Sequence, residues 1–240
     1  MAPKKPVKQP APASAASSVL AILRGMAKKQ IREGMARYGI PADKALGISV
    51  GDLRKLGKQL GRDHALALAL WDTGVYEARM LTAFVAEPER LTPAQMDRLC
   101  REFDSWAITD TLCFDLFDHT PHAFAKIRAW STRRAEFEKR AAFALLASVA
   151  LHDKSASDQA FLATLPLIER AADDERNFVK KGVSWALRGV GSRNLVLHEA
   201  AIALATKLAA STAASARFIG KDALRDLSRP LVRKKLAKRR

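Results

Sequence analysis

Between Ser17 and Leu227 the chain is a succession of short amphipathic stretches, mostly 10–17 residues long. Apolar residues recur at i, i+3 or i+4 and i+7, and Gly, Pro, Ser or Asp mark the breaks. Almost nothing alternates in the two-residue, β-branched manner that strands require. The periodicity therefore predicts an all-α fold, with helices near 17–38, 49–60, 63–72, 75–86, 93–103, 106–118, 121–130, 135–151, 157–171, 175–190, 193–209 and 212–227. Alanine supplies 44 of the 240 residues, and it is the strongest helix former. Thr92-Pro93-Ala94-Gln95 has the capping-box pattern with proline at the first helical position, which sets one helix start. Ser49-Val50-Gly51-Asp52 marks another. Some twelve helices joined by connections of a few residues are too many for one bundle layer. Antiparallel helix pairs recurring at intervals of roughly 30–40 residues are the pattern of an α-solenoid, whose stacked pairs present a long concave surface.

Charge narrows the partners of such a surface. The chain has 41 Lys+Arg against 25 Asp+Glu, a formal +16. Three of the lysines lie in residues 1–10 and seven Lys/Arg in residues 229–240, neither of which contains an acid. Without those ten, 31 basic against 25 acidic residues leave +6 for residues 11–228. An anionic partner is expected, and a concave face lined with Lys/Arg suits a nucleic-acid duplex. The chain reads as a disordered Pro/Ala-rich basic arm over 1–16, a helical repeat domain over 17–228 and a basic tail over 229–240. No apolar run reaches the length of a membrane span, and the opening residues are too rich in Pro and too poor in Leu for a secretory core. Cys100 and Cys113 give neither a disulfide framework nor a metal spacing, so a cytoplasmic location is expected. No Gly-rich phosphate loop is present, and His64, His119, His122, His152 and His198 are scattered. His119 and His122 flank Thr120-Pro121 and read as helix-boundary residues, so no metal site is expected.

Three patches carry unusual residues. In Glu102-Phe103-Asp104-Ser105-Trp106-Ala107-Ile108-Thr109-Asp110, a helix starting at Trp106 puts Asp110 one turn later on the same face. Either an indole and a carboxylate point together into one space, or Trp106 is core and Asp110 a solvated charge. In the second patch Phe137, Ala141, Ala144, Leu145 and Ser148 form an apolar stripe, with Arg140 about 60° to its side. An arginine there either reaches a ligand or snorkels to water. In the third, Trp185 follows Lys181 by four residues and precedes Arg188 by three. The indole is then either exposed between two phosphate-binding cations or packed with Phe178 and Gly182.

Taken in order, Trp106/Asp110, Lys139-Arg140 to Phe143, Lys180-Lys181-Gly182-Val183-Ser184-Trp185-Ala186-Leu187-Arg188, Gly191-Ser192-Arg193-Asn194 and Asp222-Ala223-Leu224-Arg225-Asp226-Leu227 resemble the AlkD-type DNA alkylation repair family. Gly51-Asp52-Leu53-Arg54-Lys55-Leu56 and Leu70-Trp71 extend the likeness over nearly everything between the tails. The resemblance implies HEAT-like helix pairs around a concave basic groove, and a monofunctional glycosylase that releases N3- or N7-alkylated purines from duplex DNA without metal or cofactor. It implies that Asp110 is the catalytic carboxylate, that Trp106 and Trp185 contact the lesion's sugar and backbone, and that Arg140 lies near its phosphate. Lys181 and Arg188 join them as DNA-binding cations in a chain expected to act as a monomer. Ala107 departs from the family, which usually carries an acid after the first tryptophan. That departure keeps open the alternative of a nucleic-acid-binding scaffold without turnover.

Overall fold

The computed structural model describes residues 11–237, and every regular element among them is helical. The chain divides into two compact units, one ending at Glu87 and the other beginning at Pro88. The first contains α1 (Pro12–Gly25), α2 (Lys29–Met35), a 3₁₀ turn (Ala36–Tyr38), α3 (Val50–Leu60), α4 (His64–Asp72) and α5 (Tyr76–Val85). Helix α3 starts where the sequence placed it, with Ser49 Oγ accepting from the Asp52 N–H at 3.1 Å. Helix α1 begins at Pro12, so residues 12–16 are not part of a disordered arm. Pro12 occupies the first helical turn, and Ala16, Val19 and Leu23 are buried as α1 packs on α4. Residues 1–10 lie outside the described residues. The single helix expected over 17–38 is broken because the chain turns after Gly25, where the Lys28 N–H bonds to the Leu46 carbonyl at 3.2 Å.

The second unit contains α6 (Pro93–Arg101), α7 (Trp106–Asp115), α8 (Ala123–Trp130), α9 (Glu136–His152), α10 (Asp158–Leu162), α11 (Leu165–Ala171), α12 (Asn177–Gly191), α13 (Leu195–Ala209), α14 (Ala214–Leu227) and α15 (Pro230–Ala237). Short 3₁₀ turns cover Pro88–Arg90 and Phe117–His119. The Thr92 capping box is formed in full. The helix expected over 157–171 is two helices, because Thr164 Oγ1 bonds to the Phe161 carbonyl at 2.6 Å and Pro166 brings no N–H to the turn that follows. Residues 230–237 of the basic tail form a helix that buries Leu236.

Helix α9 is the axis of this unit. It packs against α7, α8 and α12, and every residue from Arg140 to Ala150 is buried. Its alanines 141, 142, 144, 147 and 150 leave little between neighbouring backbones. Helix α12 exploits this with Gly182 and Gly189. A Cβ at Gly182 would lie 3.5 Å from Arg140 Cγ, and one at Gly189 would lie 3.3 Å from Ala147 Cα. The helices thus approach along a strip of small residues that also carries Trp185. This all-α architecture of stacked helices is of the α-solenoid class.

Helices α13 and α14 meet more closely still. A Cβ on Gly220 would stand 2.2 Å from the Ala209 nitrogen and 2.5 Å from the Ala205 carbonyl oxygen. Gly220→Ala must push backbone apart and is expected to cost about 1–3 kcal/mol in urea-induced unfolding. Gly51→Ala meets only Ser49 Oγ at 3.8 Å and should leave stability unchanged or raise it by up to about 1 kcal/mol.

Candidate functional site

Ser105 starts α7 as its N-cap, with Oγ accepting from the Ile108 N–H, while Thr109 Oγ1 donates to the Ser105 carbonyl at 2.8 Å. Those two local bonds set the rotation of the helix. Trp106, Asp110 and Phe114 then follow one another at single-turn spacing on one face, each of them partly exposed.

Arg140 comes to this face from the first turns of α9. Its Nε donates to Asp110 Oδ1 at 2.9 Å and its Nη2 to Asp110 Oδ2 at 2.7 Å, the two-pronged geometry that suits a guanidinium and a carboxylate. Its Nη1 donates to the Phe178 carbonyl at 2.7 Å. Arg140 is only 6% exposed, so it neither snorkels nor stands in the open. It joins α7, α9 and α12 through one side chain. Burial pushes the Asp110 carboxyl above the ordinary aspartate value, and the charge and hydrogen bonds of Arg140 offset that only in part.

On α12, Trp185 is half-buried and stacks on Phe114, with ring centroids 4.9 Å apart and planes 10° from parallel. Lys181, one turn earlier, is exposed. Arg188, one turn later, lies 3.6 Å from an Asp222 carboxylate oxygen and 4.0 Å from one of Asp226. Ser184 Oγ donates to the same Asp222 at 2.6 Å. Arg140, Lys181, Ser184, Trp185, Arg188, Phe218 and Asp222 line a depression of about 290 Å³. A second depression of about 290 Å³ meets the first at Trp185 and Arg188, and is walled by Phe114, Leu151, Gly189 and Ser192.

The structure therefore gathers Arg140, Lys181, Trp185 and Arg188 around one depression and ties Asp110 to it through Arg140. Trp106 shares a helix face with Asp110 but lines neither depression. Sequence reasoning did not single out Phe114, although it stands one turn beyond Asp110 on the Trp106 face. Nor did it single out Phe218 or the pairing of Asp222 with Ser184 and Arg188, which depends on how α12 and α14 dock.

Removing the arginine of the central pair leaves Asp110 largely buried without its counter-charge. Arg140→Met is expected to lower unfolding stability by about 3 kcal/mol, whereas Lys181→Ala, on an exposed side chain, should stay within about 0.5 kcal/mol of the parent. Paired urea titrations read both.

A family model described as DNA alkylation repair enzyme matches residues 19–227. A solved structure described as a new family of proteins related to the HEAT-like repeat DNA glycosylases, with affinity for branched DNA structures, superposes with a TM-score of 0.74 at 17% identity, covering 92% of this chain and 95% of its own. A designed armadillo repeat protein superposes with a TM-score of 0.39 at 16% identity, covering 94% of this chain and 96% of its own. No curated protein sequence matches the chain.

Proposed function

The chain belongs to the DNA alkylation repair enzyme family, and from that premise we propose that it is a DNA glycosylase hydrolysing the N-glycosidic bond of N3- or N7-alkylated purines in duplex DNA. The observation that carries this reading is the Asp110–Arg140 pair. It is a carboxylate largely shielded from water, one turn from Trp106 and held in fixed orientation by an arginine that lines the depression containing Trp185 and Lys181.

The chemistry asks for little more. Alkylation at N3 or N7 leaves the purine cationic, so the base departs without a strong general acid. As its bond to C1′ breaks, positive charge develops on the sugar, and a fixed carboxylate stabilises that charge and orients the attacking water. Asp110 takes this role. Its low-dielectric surroundings strengthen its interaction with a developing cation. Indoles meet electron-poor rings favourably at about 0.5–2 kcal/mol each, a role for Trp106 and Trp185. Lys181 supplies phosphate attraction that is indifferent to sequence. Arg140 acts by holding Asp110, since all three of its contacting nitrogens are engaged within the protein.

Incubation with methylated duplex DNA is expected to release free 3- or 7-methylpurine and leave abasic sites. Asp110→Asn should abolish release while retaining duplex binding within about threefold, because it removes charge and not shape. Absence of any released base from the parent protein overturns the reading.

The raised pKa of Asp110 adds a pH test. The ionised carboxylate is the active form, so base release measured in single turnovers falls as pH drops through that pKa. The midpoint should lie above the ordinary aspartate value of about 3.9. Spontaneous depurination is subtracted with a protein-free control.

A second reading, a DNA-binding scaffold without turnover, is favoured by the engagement of both Asp110 oxygens with Arg140 and by Ala107 in place of an acid. It predicts binding of duplex or branched DNA with a steep salt dependence and no release of base from any alkylated substrate.

A further inference from the structure

Sequence spacing gives no reason to associate His119 with His152, yet the fold brings them together around Asp118. The Asp118 side chain is fully buried. Its Oδ2 accepts from Ser148 Oγ at 2.6 Å and lies 2.5 Å from His152 Nδ1. Its Oδ1 is buried and has no hydrogen-bond partner among the described residues, with His119 Nε2 standing 3.6 Å away. The two imidazoles are 3° from parallel with centroids 6.0 Å apart. Unlike the carboxylate, both are open to solvent, with side-chain exposures of 51% for His119 and 38% for His152.

We propose that Asp118, His119 and His152 form a binding site for one divalent transition-metal ion of the zinc class. One ligand atom from each residue falls within 4.8 Å of the others. Zinc takes imidazole nitrogen and carboxylate oxygen at about 2.0–2.2 Å, so Asp118 Oδ1 and His119 Nε2, 3.6 Å apart, subtend about 120° at such an ion. Ligand atoms of one ion lie within about 4.2 Å of each other, so the present spacing exceeds that of a bound ion by no more than about 0.6 Å. Two imidazoles and one carboxylate select zinc, cobalt or nickel over the all-oxygen shells of magnesium and calcium. Ser148 fixes the carboxylate from behind, as outer-shell donors do.

The orphaned Oδ1 is the second, independent sign. A buried carboxylate oxygen without a donor is costly, and a cation between it and the histidines removes that cost. The site also touches the one described above. Phe114 meets His152 edge-on at 5.4 Å and stacks on Trp185 with its face. An ion that fixes His152 therefore braces the aromatic wall that holds Trp185.

The full chain, free of any polyhistidine tag and stripped with EDTA, is titrated with zinc chloride in a calorimeter and with cobalt chloride in a spectrophotometer. The expected result is one ion per chain with micromolar or tighter affinity, together with the visible absorption of four- or five-coordinate cobalt. His119→Gln and His152→Gln should each weaken binding at least about tenfold, while His198→Gln leaves it unchanged. Both ligand positions are solvent-exposed, and matching far-UV circular dichroism verifies the fold of each variant. Excess zinc should also raise the Tm of the parent, reversibly with EDTA. The proposal is overturned if no saturable binding is found below millimolar metal, or if histidine titration by NMR shows proton uptake without any metal-induced shift. It is equally overturned if both variants bind as tightly as the parent.

Discussion

One ion pair sets the terms for the rest of the second unit. Asp110 and Arg140 are both mostly shielded from water, and removing opposite charges from water costs several kcal/mol per ion. That cost is met only by near-ideal geometry. Arg140 reaches it by using Nε and Nη2 on the carboxylate and Nη1 on the Phe178 carbonyl. The third contact requires α12 to lie very close to α9. Gly182 provides that closeness directly beside Arg140 Cγ, and Gly189 continues it against Ala147 two turns on. The small residues of the strip and the charged pair lie side by side: a Cβ at 182 would meet Arg140 Cγ and Phe143 Cβ at 3.5 and 3.6 Å, ordinary van der Waals contact, while one at 189 would be tighter, 3.3 Å from Ala147 Cα.

The same accounting changes the meaning of the chain's positive charge. Part of the basic content of the second unit is consumed internally. Lys126 and Arg133 pair with Asp97, Lys139 and Arg176 with Asp174, Arg140 with Asp110, and Arg188 with Asp222 and Asp226. These pairs fix helices and hold side chains in place. Lys181 is different, since it is exposed at the depression and pairs with no acid among the described residues. Sequence arithmetic counted Arg140, Lys181 and Arg188 as equivalent cations. In the folded chain, one positions a carboxylate, one stands exposed at the depression, and one is shared with two acids.

How much of this the sequence could show follows from the range of each interaction. The Thr92 capping box and the Ser49 cap each depend on four consecutive residues, so they were legible. Helical periodicity is nearly as local, and it missed two breaks, one made by a distant segment and one by a local turn. Lys28 turns to bond Leu46, and Thr164 ends α10 by bonding its own preceding turn. The order of Trp106, Asp110, Arg140, Lys181, Trp185 and Arg188 was readable from the likeness to a family. The role of Arg140 was not, because a wheel shows an angle and not a partner thirty residues away. Phe114 was missed because a phenylalanine within an apolar helix has no distinguishing signal until α12 places an indole on its face. Asp118, His119 and His152 needed the C-terminus of α9 to return beside the 3₁₀ turn.

Trp185 links these results. It borders both depressions, one edged by Arg140 and Lys181, the other walled by Phe114, Leu151 and Gly189. Its stack on Phe114 covers one face of the indole and fixes the plane of the ring. A ligand on the cationic side therefore meets an aromatic surface of set orientation, and little further conformational entropy is lost when it binds. Phe114 stands one turn from Asp110 on the same helix, so any rotation of α7 moves carboxylate and aromatic support together. That rotation is governed at the start of the helix by Ser105 and Thr109, and at its middle by Arg140. The angle between carboxylate and indole is thus set by side chains that need not touch substrate themselves.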